Sequence, residues 1–191
     1  MCSNRLVIAI GGPPGSGKTT VARLLAQKLN IKHISIGQFF RKLAEERGLT
    51  LTELTKLAEK DPSIDLMLDS LARKEAERGN VIIDGHAAPW LLKDLAMLRV
   101  AVVASLNTRV KRLAERDGKP FDQVMEETLV REEVERRRYL KWYNIDIRDF
   151  TDFDMVVNSE RFSPNEIVEI ILKALEIMCK KNLATSTLNS P

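Results

Sequence analysis

Leu6-Val7-Ile8-Ala9-Ile10-Gly11-Gly12-Pro13-Pro14-Gly15-Ser16-Gly17-Lys18-Thr19-Thr20 decides the architecture. Five apolar residues run into glycine, and a helical pattern opens at the lysine. Gly12 through Thr19 match G-x-x-x-x-G-K-[ST], and a strand before and a helix after are the context this phosphate loop requires. Gly15 and Gly17 let the main chain approach a phosphate with no Cβ in the way. Successive amides then point inward as an anion nest, and the helix opening near Lys18 adds its positive end. Lys18 supplies a full charge to the β- and γ-phosphates, and the Thr19 hydroxyl is placed to ligate Mg²⁺. A chance glycine-rich turn matches the pattern on the order of once in a hundred chains of this size. Gly12, Pro13, Pro14, Gly15, Ser16, Gly17, Lys18, Thr19 and Thr20 are therefore the expected nucleotide-phosphate-binding set.

Downstream of the loop, Val21, Leu24, Leu25 and Leu29 fall on one helix face. Further apolar runs are Val81-Ile82-Ile83, Val100-Ala101-Val102-Val103 and Met155-Val156-Val157, with a weaker one at His33-Ile34-Ser35-Ile36. Unbroken rather than alternating apolarity marks strands buried on both faces. The chain is thus expected to be α/β, a P-loop NTPase-type three-layer fold around a five-stranded parallel sheet. Ser163, Pro164 and Glu166 form a capping signature, and Ile167, Ile170, Ile171, Ala174 and Met178 form the stripe of a last helix.

Two long, charged, mostly helical crossovers, about 37–79 and 105–154, leave carboxyl ends of strands, where ligands bind in such sheets. They read either as lids or as surface decoration inserted into one domain spanning 1–183, followed by a small polar tail, 184–191, expected to be disordered. Asp84 ends a strand beside the loop and is a candidate Mg²⁺ ligand, although Asp84-Gly85 also reads as a plain turn signal.

Composition narrows the function classes. A chain of 191 residues buries about 70% of the surface its unfolded form exposes. With 44% hydrophobic and 30% charged residues, it is neither disordered, collagen-like nor coiled coil. A net charge of +3 gives no bulk argument for nucleic acid. Cys2 and Cys179 offer no disulfide framework and no metal spacing, and two histidines make a zinc site improbable. No run approaches the ~20 apolar residues of a membrane span. The expected setting is reducing and cytoplasmic.

The motifs taken together resemble the nucleoside monophosphate kinases, and most of all the archaeal-type cytidylate kinase family. The likeness extends from about Leu6 to about Ala174. It is carried by the loop with Val21-Ala22-Arg23-Leu24-Leu25-Ala26 after it, by Ile34 to Arg41, by Ala58-Glu59-Lys60-Asp61-Pro62-Ser63-Ile64-Asp65, by Val81 to Trp90, by Arg131 to Tyr139, by Tyr143-Asn144-Ile145-Asp146 and by Asp154 to Asn158. The resemblance implies phosphoryl transfer from ATP, with Mg²⁺, to CMP or dCMP between two closing lids, by a protein that is often monomeric. It implies that Arg41 grips the acceptor phosphate, that Ser35 and Gly37 surround the acceptor nucleoside, and that Trp90 lies near the same pocket. Two positions depart from the pattern: Gln38 replaces an acid, and His86 replaces an arginine that holds the acceptor.

The second lid carries more arginines. Arg109, Arg112 and Arg116 share one helix face, and the resemblance implies that Arg112 touches the donor base and Arg116 its phosphates. It also implies that Arg131 and Arg138 clamp phosphates in catalysis beside Lys18, and that Glu135 orients them or meets the acceptor base. Glu132 with Arg136 and Glu133 with Arg137 are spaced as solvated i, i+4 pairs. Two alternatives remain at this point: a related kinase acting on AMP, UMP or another small phosphorylated metabolite, and an ATP-driven module binding RNA or protein. The modest charge and 5% aromatic content speak against RNA.

Overall fold

A computed structural model describes residues 5–188 of the chain. Five strands, β1 (Val7–Gly11), β2 (Lys32–Ser35), β3 (Val81–Asp84), β4 (Leu98–Val103) and β5 (Met155–Asn158), form one parallel sheet in the order β2-β3-β1-β4-β5. The expected strands all form, each within two residues of its apolar run. β1 sits in the middle and is buried at every position, as a strand covered on both faces must be.

Helix α1 (Lys18–Leu29) turns its Val21–Leu25 face onto the sheet, and α8 (Pro164–Leu188) covers the same side. At the start of α8, the Ser163 N–H donates to the Glu166 carboxylate and the Glu166 N–H to the Ser163 hydroxyl, the capping box read from the sequence. Ile167 and Ile171 are fully buried, and Val168 and Leu175 join them. The helix continues to Leu188, past the break expected at Ala184. Adding turns to a helix already nucleated is cheap, which carries it past Thr185, Ser186 and Thr187 although these are weaker helix formers. Cys179 on α8 is disulfide-bonded, which corrects the expectation of no disulfide; Cys2 lies outside the described residues. The opposite face of the sheet is covered by α4 (Ser63–Arg78) and by a short helix, α5 (Ala88–Leu91).

Each crossover builds its own small core. In the first, α2 (Ile36–Glu46), α3 (Leu51–Lys60) and α4 enclose Phe40, Leu54, Ala58, Ile64 and Leu68. In the second, α6 (Leu106–Asp117) and α7 (Phe121–Tyr143) enclose Val110, Leu113 and Val124. The two insertions meet: Arg137 of α7 donates to Glu59 of α3 at 2.9 Å. No helix among the described residues is long and apolar enough to cross a membrane.

Candidate active site

The loop between β1 and α1 is held in shape by backbone that only glycine tolerates. Gly12 has φ 131°, and a Cβ there would stand 2.1 Å from the Val102 carbonyl oxygen. Gly15 has φ 78°, with its Cβ position 2.6 Å from the Arg109 carbonyl oxygen. The loop is also tied from outside. Arg109 of α6 is buried and donates to the Pro14 carbonyl at 3.1 Å, to the Ala104 carbonyl at 3.2 Å and to Glu132 of α7. Ser159, just past β5, donates its hydroxyl to the Ser16 carbonyl at 2.7 Å and accepts from Arg112 at 2.9 Å.

These ties surround a cavity of about 680 Å³ over the carboxyl ends of the strands. Pro14, Gly15, Gly17, Lys18, Thr19 and Thr20 form its floor; Gly37, Gln38 and Arg41 come from the first insertion; Arg112, Arg116 and Arg131 come from the second; Asp84 and His86 end the β3 side. Five cationic side chains (Lys18, Arg41, Arg112, Arg116, Arg131) thus face two carboxylates (Asp84, Glu115), a balance suited to a polyanion. Lys18 donates to the Pro13 carbonyl at 3.2 Å. Desolvation of its ammonium pulls its pKa down to about 8; Asp84 opposes the shift, while Arg131 and Arg41 add to it. Arg41 is lowered as well, by burial first and then by Arg116 and Arg131. The site therefore holds mutually repelling cations that an anion would relieve.

Asp84 is fully buried. Its Oδ1 accepts from Thr19 Oγ1 at 2.8 Å and from Ser35 Oγ at 3.2 Å, and its Oδ2 lies 2.7 Å from His33 Nε2. Behind the cavity, Glu135 accepts from Arg131 Nε at 2.7 Å and pairs with His86 Nδ1 at 2.6 Å. Burial alone would raise the Glu135 pKa, but Arg131, His86 and Arg138 hold it well below the usual carboxylate range.

Some expected residues do not reach the cavity. Arg138 is buried, with Nε 3.0 Å from Asp65 Oδ2 on α4; it ties the two insertions together. Ser35 and Glu135 act one layer back, through Asp84 and Arg131. Trp90 packs edge-on to Phe153, centroids 4.5 Å apart, in an apolar cluster with Ala87 and Ile147. Gly12, Pro13 and Ser16 shape the loop from behind. Of the i, i+4 pairs, Glu133–Arg137 forms at 3.9 Å, but Glu132 turns to Arg109 and Arg136 to Asp146, because these partners arrive from other elements. Sequence reading missed Asp65 and Ser159 as parts of this assembly. Arg109 did carry a signal, its shared face with Arg112 and Arg116.

Comparison with known proteins follows the same lines. The profile of a family described as "AAA domain" matches residues 11–143. A cytidylate kinase of Staphylothermus marinus is 42% identical over 92% of this chain and 99% of its own. One of Ignicoccus hospitalis is 46% identical over 88% and 98%. Among solved structures, a shikimate kinase from Bacteroides thetaiotaomicron matches 90% of this chain and 98% of its own, with a TM-score of 0.60 at 21% identity; that likeness is one of fold.

Proposed function

The chain belongs to the AAA domain family and to that of the cytidylate kinases, and from that premise we propose that it transfers the γ-phosphoryl group of ATP to CMP or dCMP, giving ADP and CDP or dCDP. The observation that carries the reading is the single cavity in which the phosphate loop faces arginines from both insertions. A donor triphosphate on the loop and an acceptor phosphate at Arg41 would meet there end to end.

An acceptor phosphate oxygen is already ionised, so it attacks the γ-phosphorus without a general base, and the bond to the β–γ bridging oxygen breaks. What remains for the protein is alignment and charge neutralisation. Lys18 stands at the donor phosphates, with Arg116 and Arg131 over the group in transfer. Arg112 lies at the donor side and Gly37, Gln38 and His86 at the acceptor side. Closure of the two insertions over bound nucleotides would exclude water, the competing acceptor. Arg138, paired with Asp65, ties the two insertions together.

Mg²⁺ fits this donor set. Thr19 and Asp84 offer a hydroxyl and a carboxylate, hard oxygens 2.8 Å apart. Among the described residues no group of three or more His, Cys, Asp or Glu side chains could hold a metal on its own. Mg²⁺ typically takes one or two protein oxygens and completes its shell with phosphates and water. Bound there, it would neutralise charge on the nucleotide phosphates. The reading extends to a monomer working in the cytoplasm.

The His86–Glu135 pair supports a second reading. The side chain that replaces the family's arginine is engaged with the lid helix, so the acceptor can be AMP, UMP or another small phosphorylated metabolite. The comparisons favour either kinase over an ATP-driven binding module. A coupled assay with ATP, Mg²⁺ and a panel of CMP, dCMP, AMP and UMP tests the choice. CMP or dCMP should give the highest kcat/KM; turnover of AMP or UMP without CMP would overturn the first reading.

A further inference from the structure

Asp84 carries an asymmetric set of partners. Both short hydroxyl side chains, Thr19 and Ser35, converge on Oδ1, and among the described residues Oδ2 is taken by His33, at 2.7 Å. The strand register explains how a histidine reaches there. In the β2–β3 pair, His33 stands beside Ile82 and Ser35 beside Asp84. Ile34 faces the apolar cluster under α4, so alternation sends His33 and Ser35 to the other face, where Ile82 packs beneath α1. An apolar residue would suit that half-buried position; the imidazole adds one thing, an N–H at the height of the carboxylate. Because a carboxylate only accepts, Nε2 is the protonated nitrogen in this contact.

A carboxylate with one oxygen free to turn holds a cation less well than one locked in orientation. Partners behind a metal ligand commonly change metal affinity by about 10–100-fold. We propose that His33 is a positioning residue for the metal-holding carboxylate: by occupying Oδ2 it fixes the plane of Asp84 and presents Oδ1 toward Thr19 and the nucleotide's cation. The inference rests on the reading of Asp84 as a metal ligand.

The test titrates Mn²⁺ into the protein–ADP complex and follows free Mn²⁺ by electron paramagnetic resonance. His33→Phe keeps the bulk of the ring and removes the donor. His33→Gln puts an amide N–H at the same reach. Asp84→Asn removes the carboxylate itself. The Mn²⁺ dissociation constant should rise about tenfold in His33→Phe and return to within about threefold of the original in His33→Gln, with metal-free ADP affinity unchanged in both. Unaltered Mn²⁺ affinity in His33→Phe, alongside a loss in Asp84→Asn, overturns the role of His33 alone. Equal losses in His33→Phe and His33→Gln, with parallel falls in melting temperature, show a merely structural residue and also overturn it. Unaltered affinity in Asp84→Asn overturns the metal reading and the His33 role together.

Discussion

His86 and Glu135 stand 2.6 Å apart, Nδ1 to Oε2, and so join the end of β3 to the lid helix α7. Glu135 spends its other oxygen on Arg131. The arginine over the phosphate cavity is therefore aimed by an acid that the core itself holds. His86→Arg gives Glu135 a permanently cationic partner and adds spare donors facing the cavity. We expect it to lower the KM for CMP several-fold with little change in the KM for ATP, as read from steady-state kinetics. Glu135→Gln should cost about 3 kcal/mol in urea unfolding, because it removes a buried anion from the two donors, His86 and Arg131, that pair with it.

Lys18→Ala should abolish transfer, with a loss of at least about 10²–10³-fold in kcat. The melting temperature should not fall, since the ammonium is desolvated and crowded by Arg131 and Arg41 before any nucleotide arrives. Single-turnover kinetics and a thermal scan check both halves.

Arg41→Ala should raise the KM for the acceptor and lower kcat. The same variant tests the mutual repulsion of the cavity's cations. Ligands that bind only the folded state raise its stability, so ADP or inorganic phosphate should raise the melting temperature less in Arg41→Ala than in the unaltered protein.

Asp65 supplies a pH signature. Burial pushes its pKa up to about 6, against the pull of Arg138, from an ordinary value of 3.8. Between those values the folded state binds more protons than the unfolded state, so this residue's contribution to stability falls as pH rises from about 4 to about 6. Above pH 6 the full penalty, on the order of 2–3 kcal/mol, is present; below 3.8 it is gone. Unfolding free energies across this range should show the decline in the native protein and lack it in Asp65→Asn. A parallel pH profile in the two proteins would refute the assignment.

The framework and the floor of the site were legible because local rules dictate them. Continuous apolarity named the strands, and the spacing of Gly12, Gly15, Gly17, Lys18 and Thr19 named the loop, since its chemistry lies within eight consecutive residues. The walls were less legible. Arg138 reads as another lid arginine until α4 brings Asp65 against it, and no spacing within α7 encodes that partner. Glu132 was assigned to Arg136 by helical geometry, which ranks neighbours on one helix but is blind to Arg109 arriving from α6. His33 reads only as part of a weak strand, and nothing in the sequence brings Asp84 to it.

The bond from the Ser159 hydroxyl to the Ser16 carbonyl spans 143 positions of chain. Synthesis makes the loop long before its tether. A nascent chain lacking β5 has the whole signature motif yet neither Ser159 nor the seat that Ser159 gives Arg112. A chain still lacking β5 therefore carries the loop without the tether that fixes the Ser16 carbonyl and without the partner that holds Arg112 beside it.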